Sequence, residues 1–112
     1  MNKKIKLVYV TASSIDEADK LATLLVKENL IACANILGAS SSIYCWEGQL
    51  MKENEIVSIF KTSSKSIKKL LVRINELHSY ECPSVVVLNV DDGNKNFLDW
   101  IESSTNLGQW YK

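Results

Sequence analysis

Two segments of this chain, residues 5–12 and residues 85–90, are predominantly apolar at odd and even positions alike. Successive side chains of a β-strand point to opposite faces of its sheet, so such a strand needs cover on both faces. In the first segment, Leu7 and Tyr9 would share one face, and Val8 and Val10 the other. The fold must therefore bury two strands between layers, because either sheet face would be apolar if left in water.

Other segments have the spacing of amphipathic helices. Ser14 followed by Glu17 is a capping-box pattern, which predicts the start of a first helix. Its apolar side chains fall on one stripe: Ala18, Leu21, Ala22 and Leu25. A second helix is predicted over residues 64–78, with an equally regular stripe: Ile67, Leu70, Leu71, Ile74 and Leu77. A short third helix is predicted after residue 94, with these side chains facing inward: Phe97, Leu98 and Ile101.

Two further strands are predicted between the first and second helices. One covers residues 32–37, bends or bulges at Gly38 and resumes over residues 43–46. A tight turn at Gly48 leads into the next strand, over residues 55–62. The complete order is strand, helix, strand, strand, helix and strand, followed by the third helix.

This order predicts a single α+β domain over residues 1–112, a ferredoxin-like βαββαβ sandwich with a four-stranded antiparallel sheet and a C-terminal helix. Right-handed crossovers place both main helices on the same face of that sheet. The opposite face would expose on the order of several hundred Å² of apolar surface, more than a soluble monomer usually shows. Another copy of the chain is the simplest cover, so the sequence predicts a homo-oligomer.

The composition argues against several classes of protein. Thirteen basic and thirteen acidic residues give a formal net charge of zero, so binding to nucleic acid through phosphate attraction is not expected. No apolar run reaches the length of a membrane span, and the basic residues 1–4 do not begin a secretory signal pattern. The cysteines are odd in number and scattered, which favours reduced thiols in the cytoplasm: Cys33, Cys45 and Cys82.

The densest group of chemically active side chains lies at residues 78–83, between the second helix and the last strand. It contains His78, the only histidine of the chain, together with Tyr80 and Glu81. One interpretation is a histidine that the helix C-terminus stabilises. The other is a cleft residue or metal ligand with Glu81 as a second donor, although zinc or copper needs three or four converging donors. The sequence alone leaves both interpretations open.

A second group lies at the predicted hairpin, where Tyr44 and Trp46 share one strand face. Paired aromatic residues at a hairpin more often indicate packing or an interface than a binding site. Cys45, which points the other way, is interpreted as a small buried hydrophobe. Lys61 interrupts an otherwise apolar strand face, so it either extends to the edge of the sheet or pairs with a carboxylate, for which Glu81 is the candidate.

No catalytic motif accompanies these residues. The sequence contains no glycine-rich phosphate loop, no G-x-S-x-G elbow and no C-x-x-C pair. His78 with Glu81 is the only candidate acid–base pair, and an enzyme is not predicted. These residues by themselves assign no cofactor.

Several short segments together repeat the motifs of a known family. They are residues 10–11 (VT), 30–36 (LIACANI), 42–48 (SIYCWEG), 61–62 (KT), 76–83 (ELHSYECP), 92–94 (DGN) and 98–101 (LDWI). On these segments the chain resembles the divalent-cation tolerance (CutA) family over about residues 5–105. Ser79 stands where a proline is common in that family.

The resemblance implies a homotrimer of ferredoxin-like subunits whose hairpins wrap neighbouring subunits. It also implies clefts between subunits, lined by a set of aromatic and charged side chains: Tyr44, Trp46, Lys61, His78, Tyr80 and Glu81. The implied function is tolerance of copper and other divalent cations, with metal ions bound at these clefts. Because the trimer is similar to PII signalling proteins, the alternative is a PII-like signalling or scaffold trimer that binds a small ligand or a partner protein.

The copper site described for some bacterial members of this family carries over only in part. That site uses a cysteine in the first strand and two adjacent histidines at the end of the second helix. The matching positions here are Val10, Leu77 and His78, so only the last could bind copper. A metal site in this chain would need other donors. The sequence assigns no role to Trp110 and Tyr111.

Overall fold

The structure is a computed structural model that describes residues 2–106, so Trp110 and Tyr111 lie outside the described residues. Its strands are β1 (Asn2–Ala12), β2 (Cys33–Trp46), β3 (Gln49–Ser63) and β4 (Val85–Val90). Its helices are α1 (Ile15–Lys27), α2 (Ile67–Leu77) and α3 (Lys95–Ser104). The strands form one antiparallel sheet in the order β2-β3-β1-β4. The predicted ferredoxin-like fold is therefore confirmed.

The core lies between the sheet and the two main helices. At the centre of the sheet, Val8 of β1 pairs with Phe60 on one side and with Val87 on the other. The face that carries Val8 packs against α1 and α2. The fully buried residues of this core are Val8, Val10, Leu25, Ile31, Phe60, Leu70 and Ile74. The alternation read from β1 is confirmed.

The first helix begins and packs as its sequence predicts. Ser14 is its N-cap, and the Ser14 hydroxyl accepts a hydrogen bond from the Glu17 amide at 3.1 Å. The Glu17 carboxylate accepts from the backbone and hydroxyl of Ser13, one residue before the cap, at 3.0 and 2.9 Å. All four predicted stripe residues are buried: Ala18, Leu21, Ala22 and Leu25.

The second helix is shorter than predicted. Residues Ser64–Ser66 form a 3-10 turn, and the α-helix runs only over Ile67–Leu77, where Leu70 and Ile74 are buried. His78, predicted as the last helical residue, has extended backbone angles (φ −74°, ψ 144°). None of the helices in the described part of the chain is long and apolar enough to cross a membrane.

The hairpin is longer than predicted. Strand β2 runs without interruption from Cys33 to Trp46, and β3 begins at Gln49 rather than at residue 55. Residues 40–46 pair with residues 49–55, while β1 pairs with residues 56–63, so the hairpin extends beyond the sheet. The predicted irregularity at Gly38 is confirmed as a register shift with φ +97°. At the turn, Glu47 and Gly48 both have positive φ, as a type I′ hairpin turn requires.

The sheet face opposite α1 and α2, called the open face below, is only partly covered. Helix α3 covers one end through Leu98 and Ile101, which are buried with Ile5 and Ala32. Beside them, Val86 is 52% exposed and Leu88 is 49% exposed. Phe97, predicted to face inward, is exposed and stacks on Trp100 instead. A strongly apolar surface therefore remains on the open face of the single chain.

Candidate functional site

His78 lies immediately after α2, and its side chain is completely buried. Its Nε2 donates a hydrogen bond to the carbonyl oxygen of Thr11 at 2.7 Å, and its Nδ1 accepts one from the backbone amide of Tyr80 at 3.0 Å. Because Nδ1 accepts an N–H, the ring is neutral and carries its proton on Nε2. Two hydrogen bonds to the backbone therefore hold this histidine at the end of α2.

Three side chains at the base of the hairpin, Ser42, Glu55 and Tyr80, form a hydrogen-bonded cluster that we call the Glu55 group. The hydroxyl of Tyr80 donates to Glu55 Oε2 at 2.9 Å, and the hydroxyl of Ser42 donates to Glu55 Oε1 at 2.5 Å. Glu55 is only 9% exposed. Burial raises the pKa of Tyr80, and so do its hydrogen bond to Glu55 and the negative charges nearby. The group therefore presents one buried carboxylate held by two hydroxyl groups.

Glu17 links the turn after α2 to the start of α1. Its Oε2 accepts a hydrogen bond from the Ser79 amide at 2.8 Å, while Oε1 accepts from Ser13. Burial acts to raise the pKa of Glu17, but the hydrogen bonds from Ser79 and Ser13 outweigh it and lower the pKa to about 2. The same carboxylate lies 3.8 Å from Nδ1 of His78. A charged carboxylate thus fixes the segment that carries His78 and Tyr80.

Tyr44 and Trp46 lie further along the hairpin, on one face of β2 as predicted. The hydroxyl of Tyr44 donates to Glu53 Oε1 at 2.6 Å. This hydrogen bond and, less strongly, burial and nearby carboxylates raise the pKa of Tyr44. Trp46 is exposed, and so is Cys45, so the interpretation of Cys45 as a buried hydrophobe is wrong. The reason is that β2 and β3 have no helix over them at this end of the hairpin.

Lys61 is not close to the Glu55 group. Lys61 pairs with Leu7 of β1 and Cys33 of β2. Glu55 lies six residues before Lys61 on β3 and pairs with Ser40 of β2. The Lys61 ammonium donates to the side-chain oxygen of Asn35 and lies 5.8 Å from the centre of the Phe97 ring. Of the two alternatives considered for Lys61, the ion pair with Glu81 is therefore not the contact it makes among residues 2–106, because the Asn35 side chain on the neighbouring strand accepts its hydrogen bond instead.

The donors near His78 do not make a metal site within one chain. Glu81 is exposed, and no hydrogen bond or ion pair between Glu81 and His78 is found among residues 2–106. Within the same residues there is no group of three or more His, Cys, Asp or Glu side chains that could hold a metal ion. The copper site described for some family members does not fit here, since Val10 is buried in the core and both nitrogens of His78 are already hydrogen-bonded.

Sequence reasoning missed Glu55, the centre of the polar cluster. Its partners Ser42 and Tyr80 are 13 and 25 residues away, so only the folded chain brings them together. A signal was nevertheless present, because strand alternation places Glu55 on the same face of β3 as Val57 and Lys61. An acidic residue on an otherwise apolar strand face needs partners if it is buried.

Together these features define a small α+β protein with a ferredoxin-like sheet, a long hairpin, a partly uncovered apolar face and a buried carboxylate beside it. Residues 6–104 match the family model described as CutA1 divalent ion tolerance protein. The chain belongs to this family.

Curated relatives and solved structures agree with this assignment. The divalent-cation tolerance protein CutA of Thermus thermophilus is 36% identical over 100 residues, which cover 89% of this chain and 97% of the relative. The protein of the same name from Pyrococcus horikoshii is 38% identical over 99 residues, covering 88% and 96%. The solved structure of the Thermus thermophilus protein superposes with a TM-score of 0.89 at 35% identity, covering 91% of this chain and 99% of that chain. These names describe a tolerance function and specify no reaction.

Proposed function

We propose that this chain acts in divalent-cation tolerance as a cytoplasmic homotrimer, and that clefts between its subunits bind a divalent cation at the Glu55 group. The trimer is the assembly that the family resemblance implies. The cytoplasm suits a chain whose cysteines are all free thiols: Cys33, Cys45 and Cys82. The observation that carries the proposal is the buried Glu55 carboxylate beside an apolar sheet face that a single chain leaves uncovered.

The open face supports self-association. Tyr9, Val86 and Leu88 lie on it at neighbouring register positions, and all three are substantially exposed. Thr11 and Val57 continue this face, and the Thr11 hydroxyl is a buried group without a hydrogen-bond partner among residues 2–106. Such an orphaned group costs about 1–3 kcal/mol. A covering subunit that hydrogen-bonds Thr11 would remove this cost and bury the apolar side chains.

The chemistry of the Glu55 group favours a hard cation. Its potential donors are oxygens of Ser42, Glu55 and Tyr80, with the Glu53 carboxylate and Tyr44 hydroxyl further along the same hairpin face. Carboxylate oxygens suit magnesium, calcium and manganese, whereas copper prefers imidazole and sulfur ligands. Residues 2–106 of one chain supply too few donors for a closed site. The proposed cleft therefore needs donors from a neighbouring subunit.

Light scattering after size exclusion, followed by calorimetric titration with Mn²⁺ and with Cu²⁺, tests the proposal. We expect a particle of three chains of 12.6 kDa each. We expect Mn²⁺ binding that Glu55→Gln weakens at least tenfold. The control Asp19→Asn, on the exposed surface of α1, should bind like the wild type. A stable monomer, or equal binding by the wild type and Glu55→Gln, would contradict the proposal. A trimer that binds no cation but is stabilised by an anion or nucleotide would instead favour the PII-like alternative.

A further inference from the structure

We propose that His78 is a positioning residue that holds Tyr80 against the Glu55 carboxylate, and that it is not a metal ligand. The juxtaposition behind this inference is a fully buried imidazole between the backbone of β1 and the backbone of Tyr80. The ligand-binding part of the inference rests on the function proposed above, because it takes the Glu55 group as the ligand site. The structural part does not depend on it.

Both ring nitrogens of His78 are already used. Nε2 donates to Thr11 in the central strand, and Nδ1 accepts from Tyr80 two residues further along the chain. A metal ion at Nδ1 would have to displace the Tyr80 amide, and one at Nε2 would have to displace the Thr11 carbonyl. Each displacement would leave a backbone group without its partner, buried at Thr11 and partly buried at Tyr80, which costs free energy. A buried histidine with no free nitrogen is poorly suited to bind a cation.

Tyr80 connects His78 to the Glu55 group. The ring of His78 lies against the ring of Tyr80, with centroids 4.7 Å apart and planes tilted by 54°. At its other end, Tyr80 donates its hydroxyl to Glu55. The imidazole therefore fixes both the backbone and the ring of Tyr80, and Tyr80 fixes one oxygen of Glu55. Outer hydrogen-bond partners of this kind orient the groups that contact a ligand.

Glu17 supports the same arrangement from α1. It accepts the amide of Ser79, the residue between His78 and Tyr80, at 2.8 Å. Three consecutive residues after α2 are thus each held by a different bond: His78 to Thr11, Ser79 to Glu17, and Tyr80 to His78. The turn has little freedom to move Tyr80 away from Glu55.

The first test is the nitrogen NMR spectrum of the imidazole, which needs no residue assignment because His78 is the only histidine in the chain. At neutral pH we expect one protonated and one unprotonated ring nitrogen, with the proton on Nε2. Titration with Zn²⁺, which is diamagnetic, should leave both ring resonances unshifted. A proton on Nδ1, or a ring-nitrogen shift that saturates with Zn²⁺, would overturn the inference.

The second test separates the two bonds of the ring with a matched pair of variants. In His78→Asn the side-chain oxygen can replace Nδ1 as the acceptor for Tyr80, whereas in His78→Gln the side-chain amide can replace Nε2 as the donor to Thr11. We expect the Tyr80 amide to stay protected from hydrogen exchange in His78→Asn and to lose its protection in His78→Gln. Equal protection in the two variants would contradict the positioning role.

Ligand binding gives the corresponding functional readout. We expect His78→Gln to weaken Mn²⁺ binding about tenfold, while His78→Asn retains most of it. Equal losses in both variants would contradict the inference and favour direct ligation by His78. If the wild type binds no Mn²⁺ while the tautomer and exchange results stand, the proposed function fails and the role of His78 in positioning Tyr80 survives.

Discussion

Glu17 combines two roles at the scale of a single residue. As part of the helix start it accepts hydrogen bonds from Ser13, and through its other oxygen it holds Ser79. The spacing of Ser14 and Glu17 predicted the first role. It could not predict the second, because Ser79 is 62 residues away and reaches Glu17 only when α1 and α2 pack side by side.

The low pKa of Glu17 makes its contribution depend on pH. Its pKa in the folded protein is about 2, below the ordinary value of 4.5, so the folded state favours the carboxylate. The resulting stability is fully present above about pH 5 and is lost as the pH falls towards 2. We expect Glu17→Gln to lower the free energy of unfolding by about 1–3 kcal/mol at pH 7, and by progressively less as the pH falls below 5.

Urea denaturation between pH 7 and pH 3 measures this difference. Asp19→Asn, an exposed substitution on the same helix, should change stability by less than about 0.5 kcal/mol. A loss in Glu17→Gln that stays constant over this pH range would contradict the role assigned to the charge.

The candidate site residues differ in how well their positions could be predicted. His78 and Tyr80 were identified from residue type and local spacing, and the structure places them in contact. The partner of Lys61 could not be identified from the sequence. Lys61 donates to Asn35, and that contact depends on the register between β2 and β3. Sequence patterns report which face a strand residue occupies, but they do not report which side chain stands opposite.

At the scale of elements, the buried stripe of α1 and the bounds of β4 were predictable, and the outer part of the hairpin was not. Strand β4 has the predicted bounds, and α1 buries the predicted stripe. Residues 40–42 are serines and residues 52–55 are mostly charged, so both segments have the composition of a loop. They form strands because the backbone groups of each segment hydrogen-bond to those of the other. Neither segment predicts a strand when its sequence is considered alone.

The bulge at Gly38 should be sensitive to substitution through its backbone alone. Its φ of +97° is unfavourable for residues with a Cβ, yet no heavy atom lies within 4 Å of the position that a Cβ would take. We expect Gly38→Ala to lower the free energy of unfolding by about 1–2 kcal/mol, and Gly38→Asn by less, because asparagine tolerates positive φ better.

Thermal or urea denaturation of the two Gly38 variants checks this prediction. Ser41→Ala, an exposed position on the same strand, should be nearly neutral. If Gly38→Ala matched the wild type, the bulge would have to adopt another backbone geometry in solution.

At the scale of the whole molecule, the two faces of the sheet should respond differently to a charge. Leu88 lies half-exposed on the open face, whereas Val8 is completely buried against the helices. We expect Leu88→Asp to abolish assembly and leave a folded 12.6 kDa chain, since its carboxylate can remain in water in the monomer. Val8→Asp should abolish folding, because it buries an unpaired charge.

Light scattering and circular dichroism on the same samples distinguish these outcomes. Val72→Asp, at a position 59% exposed on α2, is the control and should change neither property. A trimer formed by Leu88→Asp would mean that the open face is not the surface through which the copies associate.

The central place of β1 in the sheet also has a consequence for folding kinetics. The hairpin of β2 and β3 needs only neighbouring residues, but β1 also pairs with β4, where Leu7 lies opposite Leu88 and Val10 lies opposite Val85. Contacts between residues so distant in sequence require the closure of long loops, and they slow folding relative to helical proteins of the same size. A newly made chain would therefore complete its sheet only after β4 has been synthesised, and until then one edge of β1 has no partner strand.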